Sequence, residues 1–131
     1  VTAPLVFSIR PIYVEAFRLG VKLYEYRTRR PRVAIGELVL IYETAPTSMI
    51  VAEATVEEMI EDTPGAVWDA TWRHGGISRE AFDAYFDSRE SAVAFRPAMR
   101  WLPVHVSLPD GMRAPQSWAR LHCSWPIGCV G

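Results

Sequence analysis

The segment Gly20-Val21-Lys22-Leu23-Tyr24-Glu25-Tyr26-Arg27 gathers an amine, a carboxylate and a guanidinium into one short stretch after a glycine turn. Lys22 is the single lysine of the chain, against thirteen arginines. A lysine kept in so arginine-rich a chain suits what arginine cannot do, which is to lose a proton near neutral pH or act as a compact point charge. Chance composition explains it equally well. Each side chain has a plain alternative. Lys22 can bind phosphate, act as a base, or be an ordinary surface lysine. Glu25 can accept hydrogen bonds from a base edge, serve as a general base, or only orient Arg27. Arg27 can contact phosphate or only fix Glu25. On a regular strand Glu25 and Arg27 share a face and Lys22 points the other way. Convergence of all three therefore requires Lys22 to lie in the turn or at a bulge. Otherwise the segment is an edge strand studded with charges.

Local signals predict the elements that must hold this constellation. Leu5–Ile9 reads as a buried strand. Pro11 suits the first turn of a helix carrying Ile12, Ala16 and Leu19 and ended by Gly20. Val21–Arg27 is rich in branched and aromatic residues and predicts a strand. After the basic link Thr28–Gly36 come strands over Glu37–Thr44 and Met49–Met59, the second alternating in polarity. Thr63-Pro64 predicts an N-cap and first turn, with Gly75-Gly76 ending the helix, and Ser78 caps another helix bearing Phe82, Tyr85 and Phe86, all expected in the core. Strands return at Ser91–Phe95 and near Val104–Leu108. Helices and strands interleave too unevenly for a doubly wound parallel sheet. The expectation is an α+β fold, a mostly antiparallel curved sheet or small barrel with peripheral helices.

A chain of 131 residues with 50% hydrophobic and 22% charged residues fits one globular domain, 1–131, and excludes disorder. No apolar run approaches a membrane span, and Val1-Thr2-Ala3-Pro4 lacks signal-peptide character, so a cytoplasmic protein is expected. Cys123 and Cys129 admit a short disulfide or two plain thiols; with His122 they fall short of a zinc set, and no metal or cofactor is expected. The net charge of −1 hides segregation. Residues 1–36 hold seven cations against two acids, residues 37–95 three against twelve, and residues 96–131 four against one. If the two ends meet, they form a cationic zone suited to a phosphate-bearing partner. The acidic stretch 57–90, with its tryptophans, is a candidate surface for a protein partner.

Gly20, Lys22, Glu25 and Arg27 match the G-x-K-x-x-E-x-R element of the ASCH domain, a branch of the PUA-like superfamily, which the chain resembles in order along most of its length. Ser8-Ile9-Arg10-Pro11 is similar to the family's opening S-I-[KR]-P. Leu40-Ile41-Tyr42 with Ala45-Pro46 and Ile50–Val56 resembles its next hairpin, Gly76–Phe82 its second helical entry, and Pro115-Gln116-Ser117 its late P-Q-S element. The resemblance implies a PUA-like β-barrel with a cleft lined by the motif strand, and binding of single-stranded RNA or a nucleoside- or nucleotide-like ligand, as in an RNA-linked regulator. Candidate contacts are Lys22, Glu25 and Arg27, with hydrogen bonds from Ser8, Gln116 and Ser117. Arg10, Arg29 and Arg30 add charge, and Tyr42, Tyr24 or Tyr26 can stack on a base. Some family members are hydrolases, so the alternative is a small enzyme using Lys22 and Glu25 on an acylated nucleoside amide or an RNA phosphodiester. The amide-hydrolysing branch carries threonine where this chain has Glu25, which puts that activity in doubt here.

Overall fold

The computed structural model describes residues 3–126. In chain order the elements are β1 (Leu5–Ile9), α1 (Pro11–Arg18), β2 (Glu25–Arg27), β3 (Leu38–Glu43), β4 (Met49–Asp62), α2 (Pro64–Thr71), a single 3-10 turn (Trp72–His74), α3 (Arg79–Tyr85), β5 (Ala92–Val106) and β6 (Trp118–Arg120). The strands form one six-stranded sheet in the order β2-β5-β4-β3-β1-β6. Only β1 and β3 run parallel; the other pairs are antiparallel. This is the expected α+β architecture, a sheet curled into a half-barrel with short helices at its flank.

Local chemistry sets the helix ends. Pro11 opens α1, and Gly20 at φ +78° turns the chain back after it. The Thr63 hydroxyl accepts from the Ala66 amide at 3.3 Å, and the Ser78 hydroxyl from the Ala81 amide at 3.1 Å, so both helices start with a satisfied cap.

Two expectations need correction. The strand foreseen over Val21–Arg27 is regular only from Glu25, because the Leu23 and Tyr24 amides donate to the His74 carbonyl instead of a ladder. The two strands foreseen at Ser91–Phe95 and Val104–Leu108 are one, β5, which runs through Pro97 and Pro103. Both prolines lie where the β4–β5 register slips, Pro97 opposite Val56 beside one irregularity and Pro103 inside the other. A bulge spares the sheet the amide that proline lacks. The tail carries the short strand β6 against β1, and Cys129 lies outside the described residues.

Three apolar clusters hold the sheet. Phe7, Ile9, Val14, Phe17, Ile41 and Phe95 fill the barrel interior. Tyr24, Tyr26, Val67, Phe82 and Phe86 join β2 and β5 to α2 and α3. Val6, Leu40, Tyr42, Ile50, Met112 and Leu121 pack under the tail. Each fully buried Phe, Leu or Ile contributes about 1.5–3 kcal/mol. The tail is pinned further by the Trp125 indole, which donates to Glu53 at 2.6 Å. That bond, and then the Arg100 guanidinium, holds the Glu53 carboxyl below its usual range.

β2 and β6 are the two edges of the sheet, yet the curl brings them within reach of one side chain. Arg27 on β2 donates through Nη2 to the Ser8 carbonyl on β1 at 3.0 Å and through Nη1 to the Ser117 hydroxyl beside β6 at 2.9 Å. A guanidinium closes the seam that no backbone ladder closes. Segments from near the two ends of the chain, at Ser8 and Ser117, meet there.

Candidate ligand-binding site

The seam opens into a cleft of about 520 Å³. On one side lie Ser8, Arg10, Lys22, Glu25, Arg27 and Gln116. On the other lie Ile77, Ala81, Ala84 and Tyr85, with Tyr13 and Tyr26 completing the lining together with Ile9.

Lys22 reaches the floor because it precedes the regular strand. After Gly20, the amides of Val21 and Lys22 both donate to the Ala16 carbonyl at the end of α1. Lys22 then bridges to Gly75 rather than to β5. Its Nζ donates to the Gly75 carbonyl at 2.6 Å and lies 3.6 Å from Glu25 Oε1. The rings of Tyr13, Tyr26 and Phe17 surround it at 5.2, 5.0 and 5.5 Å. Cation–π attraction offsets part of the cost of burying an ammonium that is only 1% exposed. Burial still dominates and moves the Lys22 pKa below the ordinary lysine range, against the pull of Glu25 in the other direction.

The glycine pair is part of this construction. A Cβ on Gly76 would lie 2.6 Å from Lys22 Cβ, and its φ of +68° already disfavours any side chain. A Cβ on Gly75 would collide with the Tyr26 hydroxyl. These glycines, expected only to end a helix, let the loop close over the lysine.

Glu25 sits between the two cations. Its Oε2 accepts from Arg27 Nη2 at 2.8 Å, and both side chains are more than nine-tenths buried. Glu25 and Arg27 pair across β2–β5 with Phe95 and Val93, so they face the barrel mouth, while Tyr26 faces Phe82 and Phe86. The Tyr26 hydroxyl is shared with Thr71 Oγ1 at 2.7 Å. Arg27 Nε has no hydrogen-bond partner among the described residues. The Ser8 hydroxyl donates to the Pro115 carbonyl at 2.6 Å.

Other candidates are placed differently. Ser117 stands behind Arg27 as its hydrogen-bond partner. Tyr42 is buried in the cluster under the tail, away from the cleft lining. Arg29 lies over the Trp118 ring at 5.3 Å, two residues from Gln116. Arg30 turns toward Glu61, 3.8 Å away. In the acidic stretch 57–90, Glu58 accepts from the Tyr24 hydroxyl at 3.1 Å and Asp83 pairs with Arg79 at 3.1 Å.

Tyr85, expected in the core, is instead 47% exposed at the cleft wall. Burial of its hydroxyl raises its pKa, with Arg27 opposing and Glu25 adding to the rise. Tyr13, Ile77, Ala81 and Ala84 were not foreseen as lining. Tyr13 follows Arg10 by three residues, and Ile77 and Ala81 lie within the Gly76–Phe82 element, whereas Ala84 had no signal in the sequence.

No protein-family model matches the chain. A curated relative from Zymomonas mobilis subsp. mobilis, named ASCH domain-containing ribonuclease, is 29% identical over 123 residues, covering 88% of this chain and 83% of the relative. The crystal structure of ASCH from Zymomonas mobilis superposes with a TM-score of 0.80 at 24% identity, over 91% of this chain and 87% of that one. A tyrosine-to-phenylalanine variant of that protein superposes with a TM-score of 0.82 at 23% identity, over 91% and 90% of the two chains. The chain shares the fold of these ASCH proteins. In this chain Lys22, Glu25 and Arg27 of the G-x-K-x-x-E-x-R element occupy the floor of the cleft and its seam, and Gln116 and Ser117 approach from the far edge. The likeness to the solved structures carries the fold; the site rests on the geometry of these side chains.

Proposed function

We propose that this chain is an ASCH domain that binds single-stranded RNA or a nucleotide-like ligand in the cleft centred on Lys22, Glu25 and Arg27. One observation carries the reading: two buried cations share one buried carboxylate. With Lys22 protonated, one positive charge at the floor has no counter-charge, which is costly in a protein interior. An anion from a ligand supplies it. The ribonuclease name of the Zymomonas relative supports RNA as the source of that anion. The phosphate lies toward Arg10 and Arg27, and the strand leaves the cleft past Gln116 toward Arg29 on Trp118.

A second reading, RNA phosphodiester cleavage, is favoured by the lowered pKa of Lys22 next to Glu25. Glu25 takes the proton of a ribose 2′-hydroxyl as its oxygen attacks the adjacent phosphorus. The bond from phosphorus to the 5′-oxygen breaks, and the Lys22 ammonium protonates the leaving oxygen. A lysine whose pKa is lowered gives up its proton more readily in that step.

Salt titration of RNA binding tests the binding reading. Fluorescence anisotropy with a labelled single-stranded RNA decamer should show affinity falling steeply as salt rises. Arg29→Ala should reduce the slope of log K against log salt by about 0.7, one phosphate contact on a single strand. Arg30→Ala, its partner being Glu61, should leave the slope unchanged. Absence of binding at low salt, or a slope that Arg29→Ala does not move, contradicts the track.

A further inference from the structure

The helix α3 divides its residues between two tasks. Phe82 and Phe86 turn inward onto Tyr26, with ring centroids 5.0 and 6.3 Å away. Ala81, Ala84 and Tyr85, at spacings of three and four that share one helical face, turn toward the cleft. Opposite them the wall is ionic and hydrogen-bonding, with Arg10, Lys22, Glu25, Arg27 and Gln116. The aromatic lining also differs from ring to ring. Tyr26 is buried with its hydroxyl engaged by Thr71, and Tyr13 is half-buried beside Lys22, whereas Tyr85 is 47% exposed. Its hydroxyl lies within the electrostatic reach of both Arg27 and Glu25.

Two walls of such different character match a ligand that is flat and apolar on one side and anionic on the other. The two alanines matter because a larger residue at either position would fill the space beside the tyrosine. We propose that the Ala81–Ala84–Tyr85 face of α3 is a nucleobase subsite, in which a base stacks on Tyr85 while its phosphate meets the cationic wall. This rests on the ligand reading above and adds the part of the ligand that α3 recognises.

Calorimetric titration with 5′-AMP and with ribose 5-phosphate, which carries the same anion without a base, tests it. The wild-type chain should bind 5′-AMP more tightly than ribose 5-phosphate. Tyr85→Ala should weaken 5′-AMP by about tenfold or more, as loss of one base–aromatic stack does, and leave ribose 5-phosphate within about twofold. Tyr85→Phe keeps the ring and should retain 5′-AMP binding. Ala84→Leu should exclude 5′-AMP and spare ribose 5-phosphate, and with Tyr85→Phe it decides the matter if Tyr85→Ala folds poorly. Equal affinity of the wild type for both ligands, unchanged 5′-AMP binding in Tyr85→Ala, or equal losses for both ligands would overturn the subsite while leaving the anion site standing. A wild type that binds neither ligand would overturn both.

Discussion

Arg27→Ala should destabilise the domain by about 3–5 kcal/mol, the usual cost of removing one partner from a buried ion pair. The size follows from what Arg27 holds together. Its guanidinium pairs with Glu25, donates to the Ser8 carbonyl and reaches the Ser117 hydroxyl. Alanine leaves a buried carbonyl without its donor and frees the two edges of the curled sheet from each other. Arg27→Lys should fall between the two. A single ammonium can satisfy Glu25 or the seam, but it lacks the planar fork that serves both. Urea unfolding measures this, and a loss in Arg27→Ala below about 0.5 kcal/mol would show that the seam is closed by something else. In this account the arginine of the motif is first a structural clasp, and its place at the ligand follows from where the clasp has to be.

Lys22 has the opposite balance, a cost in stability. Burial lowers its pKa, so the folded state holds that proton less tightly than the unfolded chain. The resulting cost is full below the folded pKa and vanishes as pH rises from there to the ordinary lysine value. Lys22→Met removes the cost together with the charge, and Glu25 keeps Arg27 as its partner. This variant should remain folded, melting within a few degrees of the wild type, and should lose RNA binding. If the cleft cleaves RNA, its turnover should fall by about a hundredfold or more. Lys22→Arg separates charge from proton transfer, since the pKa of arginine stays above about 12. It should retain RNA binding within about tenfold and lose turnover as Lys22→Met does. Full RNA affinity in Lys22→Met would remove the lysine from the site.

Much of the fold was legible because its punctuation is local. Pro11, Gly20, Thr63-Pro64 and Ser78 mark ends that depend on nearby backbone groups, and all four act where expected. β5 was legible only in pieces. Pro97 and Pro103 contradict a continuous strand unless the partner β4 slips in register beside them, which is a tertiary fact. The motif placed Lys22, Glu25 and Arg27 in one stretch, and the requirement that Lys22 precede the regular strand followed from side-chain alternation alone. Three features were not legible. The approach of Gly75-Gly76 to Lys22 and Tyr26 spans about fifty residues of sequence. Tyr85 lies beside the core-facing Phe86, and only the cleft explains why it points elsewhere. Tyr42 sits on a strand buried on both sides, so its alternation carried no sign of which face meets a ligand.

The single lysine of the chain also makes the most direct test possible. Protein labelled with 15N at lysine Nζ and 13C at lysine Cε gives one side-chain resonance, that of Lys22. NMR titration of this resonance with pH should give a midpoint below the ordinary lysine range. Adding a single-stranded RNA oligonucleotide should move the resonance to saturation, in step with binding measured by anisotropy. An ordinary midpoint, together with a resonance left in place by RNA that anisotropy shows to be bound, would contradict the claim that this cleft is where the domain holds its ligand.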